Sequence, residues 1–285
     1  MRLGVIGLMP SAAAEVTPAT PARLRGLGFT GVHWTLQRPL DVDEAGLRRV
    51  RAILADGGVH VAQAVPRNQD LVGPESEARH QGVRELQQAC RAARLLEAAT
   101  LYVRPGSHNP AGSWTPHPHN GHLATLERLI QALREVCTAA EDEGVVLALE
   151  GAAVSPLDTP ERVRDVIEAV GSPALRFNVD PVNFVAGLAD LYNTTSLVHR
   201  LFDLCGPSVA AAHAKDIRYD NSLTVRLSEC VIGEGFMDQT VLLQRFQACC
   251  PDGYVLIEHL PEDKIPAAKD ALDRVATRIG IRWDQ

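Results

Sequence analysis

Val209-Ala-Ala-Ala-His213-Ala-Lys215-Asp216-Ile217 is a run of small apolar residues that breaks into a histidine, a lysine and an aspartate. It reads as a buried strand with an ionisable C-terminal end. Three other strand-like runs finish the same way: Val145-Val-Leu-Ala-Leu-Glu150, Leu175-Arg-Phe-Asn-Val-Asp180 and Tyr254-Val-Leu-Ile-Glu258-His259. If these strands are parallel and adjacent, Glu150, Asp180, His213 and Glu258 form the ligand set of a divalent metal site.

Upstream, strand patterns at Leu3–Gly7, Gly31–Trp34, His60–Val65 and Thr100–Arg104 alternate with helical patterns. The helices are expected from Thr17 to Gly26, Asp43 to Asp56, Glu75 to Ala98 and Leu123 to Gly144, the last stopping at a glycine. Downstream they fall at Thr159–Val170, Ala189–Cys205, Asp238–Cys249 and Lys264–Ile279. Alternation repeated eight times, with no linker or shift in composition, implies parallel strands and right-handed crossovers. The expected fold is α/β, a single (β/α)8 TIM barrel over residues 1–285. A doubly wound open sheet would carry a glycine-rich phosphate turn after its first strand, and Gly4-Val-Ile-Gly7-Leu-Met lacks that spacing. Residues from about 105 to 122, rich in Pro, Gly, His and Trp, read as a long loop over the C-terminal mouth.

Twenty-eight Lys and Arg face 35 Asp and Glu, a formal charge of −7. That balance repels phosphate backbones and anionic membranes, and no apolar run spans a bilayer. A nucleic-acid or membrane partner is therefore not expected. The first residues superficially resemble a secretion signal, but the apolar run is short, holds two glycines and ends at Pro10. A cytoplasmic location is the expectation. The six cysteines show no CxxC spacing and read as reduced packing thiols.

In a barrel the C-terminal strand ends converge on one mouth. Three carboxylates and an imidazole suit Mn2+, Mg2+, Co2+ or Zn2+ with positions open to water or substrate, and the lack of thiolate argues against a structural zinc site. A cation held there would acidify a proton beside a chelated carbonyl. Glu150 and Glu258 could then take and return that proton on opposite faces of the carbon.

Leu147-Ala-Leu-Glu150, Asn178-Val-Asp180-Pro-Val-Asn183, Ala212-His213-Ala-Lys215-Asp216, Ile232-Gly-Glu-Gly235 and Leu256-Ile-Glu258 together resemble the signature elements of the xylose isomerase-like TIM barrel superfamily, in its sugar phosphate isomerase/epimerase branch. The resemblance implies metal-ligand positions at Glu150, Asp180, His213 and Glu258, with Glu150 and Glu258 also the acid/base pair. It implies isomerisation or epimerisation of a sugar or related polyhydroxy carbonyl compound through a metal-bound enediolate. Loss of a β-hydroxyl from the same intermediate gives the alternative, a dehydratase of the inosose or dehydroshikimate type. A barrel that binds a sugar without turnover is the reading from another class. Relatives are often oligomers, so a homo-oligomer is compatible. Ketose 3-epimerases usually carry a histidine three residues after the aspartate, where this chain has Asn183, and many relatives end the second strand in glutamate, where it offers His33. The superfamily also contains endonuclease IV, but Asn183 removes one expected zinc ligand, no Asp-x-His follows His213, and the net charge opposes DNA.

Candidate substrate contacts are Asn183, Lys215, Asp216, Arg218, Arg104, His33 and Trp114. Lys215 and Asp216 read either as a local ion pair bracing the mouth or as direct contacts. Arg218 reads equally as a contact to a substrate carboxylate or hydroxyl and as an exposed loop arginine. Trp114 could stack on a sugar face from the long loop, whose histidines 108, 117, 119 and 122 read by default as solvated. His259, next to Glu258, is expected to point outward.

Overall fold

The computed structural model describes residues 1–37, 39–41, 43–67 and 70–284. In chain order the strands are β1 (Arg2–Val5), β2 (Gly31–Leu36), β3 (His60–Pro66), β4 (Thr100–Val103), β5 (Leu147–Leu149), β6 (Leu175–Val179), β7 (Val209–Ala214), β8 (Asp216–Tyr219), β9 (Leu227–Cys230) and β10 (Tyr254–Ile257). β1 to β7 and β10 close into an eight-stranded parallel barrel, β10 pairing with both β7 and β1. The single (β/α)8 barrel is therefore the fold. No helix of the described residues is long and apolar enough to cross a membrane.

The helices are α1 (Ala19–Gly26), α2 (Glu44–Asp56), α3 (Ser76–Leu95), α4 (Leu123–Glu143), α5 (Pro160–Val170), α6 (Leu188–Leu191), α7 (Thr194–Cys205), α8 (Gln239–Cys249) and α9 (Ile265–Arg278). Local chemistry sets their ends. Asp43, Thr159 and Asp238 accept backbone N–H groups at the starts of α2, α5 and α8, and Pro160 takes the first helical position of α5. Gly144 and Gly171 end α4 and α5 with φ of 65° and 71°. The helices bury one face on the strands, whose outward residues, such as Leu101, Leu149 and Phe177, are inaccessible to solvent.

Period-two alternation aims the chemistry. On β10, Tyr254 and Leu256 fill the lower barrel together with Ala62, so Glu258 two residues on faces the same axis. Room is made by Gly31, where an added Cβ would lie 2.4 Å from the Tyr254 ring. Two register shifts adjust the layer above: Ala62 of β3 and Ala210 of β7 are skipped in the pairing with β2 and β6. The skips bring Gln63 opposite His33 and Ala211 opposite Asn178.

Two elements differ from the sequence expectation. The single helix expected from Ala189 to Cys205 is broken between α6 and α7, where the Thr194 hydroxyl donates to the Phe236 carbonyl, 2.6 Å away. The chain after β7 folds into the antiparallel hairpin β8–β9 rather than a plain loop.

Candidate metal centre

Glu150 and Asp180 directly follow β5 and β6, His213 is the penultimate residue of β7, and Glu258 follows β10. One donor atom from each lies within 4.8 Å of the others. Glu150, Asp180 and His213 are all but inaccessible to solvent, and the Glu258 side chain is 11% exposed.

His213 Nδ1 sits 2.9 Å from Glu258 Oε2, 3.0 Å from Glu150 Oε1 and 3.8 Å from Asp180 Oδ2. None of these approaches is a hydrogen bond: His213 Nδ1 and both Asp180 oxygens are buried without a hydrogen-bond partner. Lys215 Nζ comes 2.9 Å from Asp180 Oδ2, in ion-pair contact but outside hydrogen-bond alignment. Carboxylate oxygens and an imidazole nitrogen crowding one point without hydrogen-bond alignment are what ligands look like around a cation, because a buried donor or acceptor left unmatched is costly. Lys215 compensates one of the three carboxylates, and the remaining charge matches a divalent ion. The donor set therefore fits such an ion.

A polar layer beneath fixes two of the four side chains, His213 and Glu150. His213 Nε2 lies 2.9 Å from Gln63 Oε1, which can only accept, so that nitrogen carries a proton and Nδ1 is the ring nitrogen left to face an ion. The Gln63 amide donates to Asn178 Oδ1 at 3.2 Å, and the Asn178 amide donates to Glu150 Oε1 at 2.6 Å. The Tyr102 hydroxyl donates to Glu150 Oε2 at 2.5 Å. Such partners orient metal ligands and fix the imidazole tautomer.

The electrostatics follow from this packing. Burial raises the Asp180 carboxyl to about 7, against the opposing pull of Lys215. Burial alone would lower His213, but Glu258 and Glu150 outweigh it and lift the imidazole of the ion-free protein to about 10, so an entering cation takes the place of its Nδ1 proton. Burial likewise opposes the Lys215 charge, and Asp180, Glu258 and Glu150 prevail to hold the ammonium protonated above its usual range. Glu258 is pulled well below the carboxylate range by His213 and Lys215 in spite of burial. Burial, helped by His213, lowers His33 to about 4 and keeps that ring neutral.

The residues named from sequence as substrate contacts divide. Lys215 is buried among the ligands, where its ammonium also donates to Asn183 Oδ1 at 2.7 Å. His33 joins through Gln63 Oε1, 3.2 Å from its Nδ1, with its ring edge toward Tyr102. A cavity of about 170 Å3 opens beside His33, lined also by Ile6, Met9 and Thr35. The Arg104 guanidinium donates to the carbonyls of Pro66 and Arg67, and it feels the charges of Glu150 and Glu258.

Asp216 is a correction. Its carboxylate accepts from the backbone N–H groups of Ile217, Gly233, Gly235 and Met237, so it organises the turn after β9 and pairs neither with Lys215 nor with a mouth group. Adjacent residues on an extended chain point to opposite faces, which is why the neighbouring charges part. Arg218 stands exposed on the hairpin, 3.7 Å from Glu234. Trp114 is half-buried in the long loop and makes no polar or ring contact with the cluster. His259 also departs from expectation: with φ of 58° it leaves the strand alternation, and its ring reaches back to Glu258 Oε1 at 3.3 Å and to Glu229 at 3.0 Å.

Comparison with known proteins completes the picture. The family model described as the xylose isomerase-like TIM barrel matches residues 21–277. The chain belongs to this family. Among solved structures of the same barrel, a xylose isomerase-like protein from Mycobacterium smegmatis in complex with magnesium superposes with a TM-score of 0.73 at 16% identity, covering 98% of this chain and 96% of that one. An L-ribulose 3-epimerase gives 0.74 at 18% identity, covering 98% and 94%. A probable 3-DHS dehydratase of petrobactin synthesis from Bacillus anthracis gives 0.73 at 14%, covering 96% and 99%. Sequence comparison with curated proteins finds no match.

Proposed function

We propose that this member of the family is a divalent-metal-dependent isomerase or epimerase of a sugar or related polyhydroxy carbonyl compound. The observation that carries the reading is the convergence of Glu150, Asp180, His213 and Glu258 with three buried donor atoms lacking hydrogen-bond partners. Those four residues would hold the ion. It supplies positive charge that acidifies a carbon-bound proton beside a carbonyl.

The chain's own residues do the rest. Glu150, oriented by Tyr102 and Asn178, and Glu258, opposite it around the mouth, take and return the proton. Lys215 and Asn183 offer an ammonium and an amide to substrate oxygens, and His33 contributes a neutral ring. The magnesium complex and the epimerase among the fold's neighbours support the class of chemistry. The dehydratase neighbour supports a second outcome, in which a β-hydroxyl leaves after the same proton abstraction.

The test is to incubate Mn2+-loaded protein with a panel of ketoses in D2O and follow the carbon-bound protons by NMR, with an inosose incubated alongside under ultraviolet absorbance. Deuterium beside the carbonyl together with an epimer or isomer supports the proposal, and new enone absorbance moves the assignment to dehydration. Tight Mn2+ binding without exchange on any substrate would leave a binding barrel instead.

A further inference from the structure

The loop between β4 and α4 holds a second convergence of donors, built from different chemistry. His108, His117 and His119 each place a ring nitrogen within 4.8 Å of the others. The His108 and His117 rings lie nearly parallel with centroids 5.5 Å apart, and His119 stands edge-on to both at 5.7 and 5.0 Å. His122 lies against the His119 ring at 4.6 Å. No carboxylate belongs to this cluster, and it shares no residue with the barrel cluster.

The loop is braced to hold these rings. Buried Asn120 accepts the His108 backbone N–H at 2.9 Å and donates to the carbonyls of Thr115 and Val154 at 3.3 and 2.9 Å. The Ser107 hydroxyl donates to the Thr115 carbonyl at 2.7 Å. Pro116 and Pro118 flank His117 and fix the backbone φ on either side of it. Bracing of this kind lowers the ordering cost of binding.

One tautomer is also decided. The single hydroxyl proton of Thr125 is spent on the His119 carbonyl at 2.8 Å, so toward His108 Nε2, 2.9 Å away, Thr125 can only accept. His108 Nε2 therefore carries the ring proton, and Nδ1 presents a lone pair. An outer partner fixing the ring in this way is the usual companion of a metal-ligating histidine. His117 Nδ1 accepts the His119 N–H at 3.2 Å, a long bond that the ring gives up on turning to a cation.

We propose that His108, His117 and His119 form a transition-metal site, selective for borderline ions such as Zn2+, Co2+, Ni2+ or Cu2+, that ties the loop after β4 into one conformation and is separate from the barrel centre. An all-imidazole donor set suits these ions and not Mg2+ or Ca2+. Three protein ligands leave a fourth position for water or a further group.

The test is equilibrium dialysis of the full chain against Zn2+ with elemental analysis, repeated on His117→Gln, His119→Gln and the barrel variant Asp180→Asn/His213→Gln. The wild type should hold two ions per chain, each loop variant one, and the barrel variant one. Thr125→Val, which keeps all three imidazoles but removes the acceptor on His108, should weaken Zn2+ at the loop by about 10- to 100-fold. Circular dichroism confirms that each variant is folded. Loop variants that hold as many ions as the wild type would overturn the proposal. A wild type holding a single ion that is lost on loop substitution but kept in the barrel variant would uphold this site and count against the barrel reading.

Discussion

Two clusters of side chains that could hold a metal ion differ in almost every physical respect. The barrel cluster combines three carboxylates with one imidazole, is buried, and comes from residues up to 108 positions apart that only the closed sheet brings together. The loop cluster is made of imidazoles alone, is half-exposed, and comes from one stretch of 12 residues. Burial next to charge gives the first its perturbed ionisation and its proposed chemistry. Local bracing by Asn120 and Thr125 gives the second its order, with no strand end behind it.

The largest effect should fall on the barrel cluster alone. Glu150→Gln and Glu258→Gln remove the proposed proton carriers while keeping shape, and each is expected to lower turnover by about 10²- to 10⁴-fold. Steady-state kinetics on a substrate found by the deuterium screen checks this, and turnover unchanged in either variant would undo the assigned role. His119→Gln should leave the same rate close to wild type.

Next is the internal counter-charge. Lys215→Met leaves Asp180 and Glu258 without their cationic partner, and breaking a buried pair costs on the order of 3–5 kcal/mol. In metal-free protein the thermal midpoint should drop markedly, and Mn2+ should recover more stability in the variant than in wild type, because the ion takes over the missing charge. Equal Mn2+ stabilisation of both proteins would show that the ion and the ammonium do not share those carboxylates.

The layer beneath the ligands provides a smaller test. Gln63→Leu removes the acceptor that fixes His213 and should weaken Mn2+ by about 10- to 100-fold without changing loop Zn2+. Isothermal titration with each ion separates the two. At the bottom of the scale, Arg218→Ala should keep stability within about 0.5 kcal/mol of wild type by chemical denaturation, since its pair with Glu234 is exposed.

The barrel was legible because a strand buried on both faces reads as an apolar run, and its polar end shows where it leaves the core. The hairpin was not: β8 and β9 are four residues each, only Asp216 and Ile217 of the eight are buried, and an exposed loop joins them. The four convergent side chains could be named because each ends a strand. Gln63, Tyr102 and Asn178 were missed as members of the site, although each is a polar residue on the inward face of an otherwise apolar run, the signal that could have found them. Reading Lys215 and Asp216 as a pair overlooked the alternation that separates them. The loop histidines read as solvated from sequence, because proximity along the chain does not reveal that Asn120 folds the segment back on itself.

Anomalous diffraction from crystals soaked in Mn2+ tests the central claim most directly. A peak within bonding distance of Glu150, Asp180, His213 and Glu258 together, with coordination positions left for water, is the expected result. Crystals that stay without a peak at that point in excess Mn2+, or that place the ion on surface carboxylates only, would contradict it.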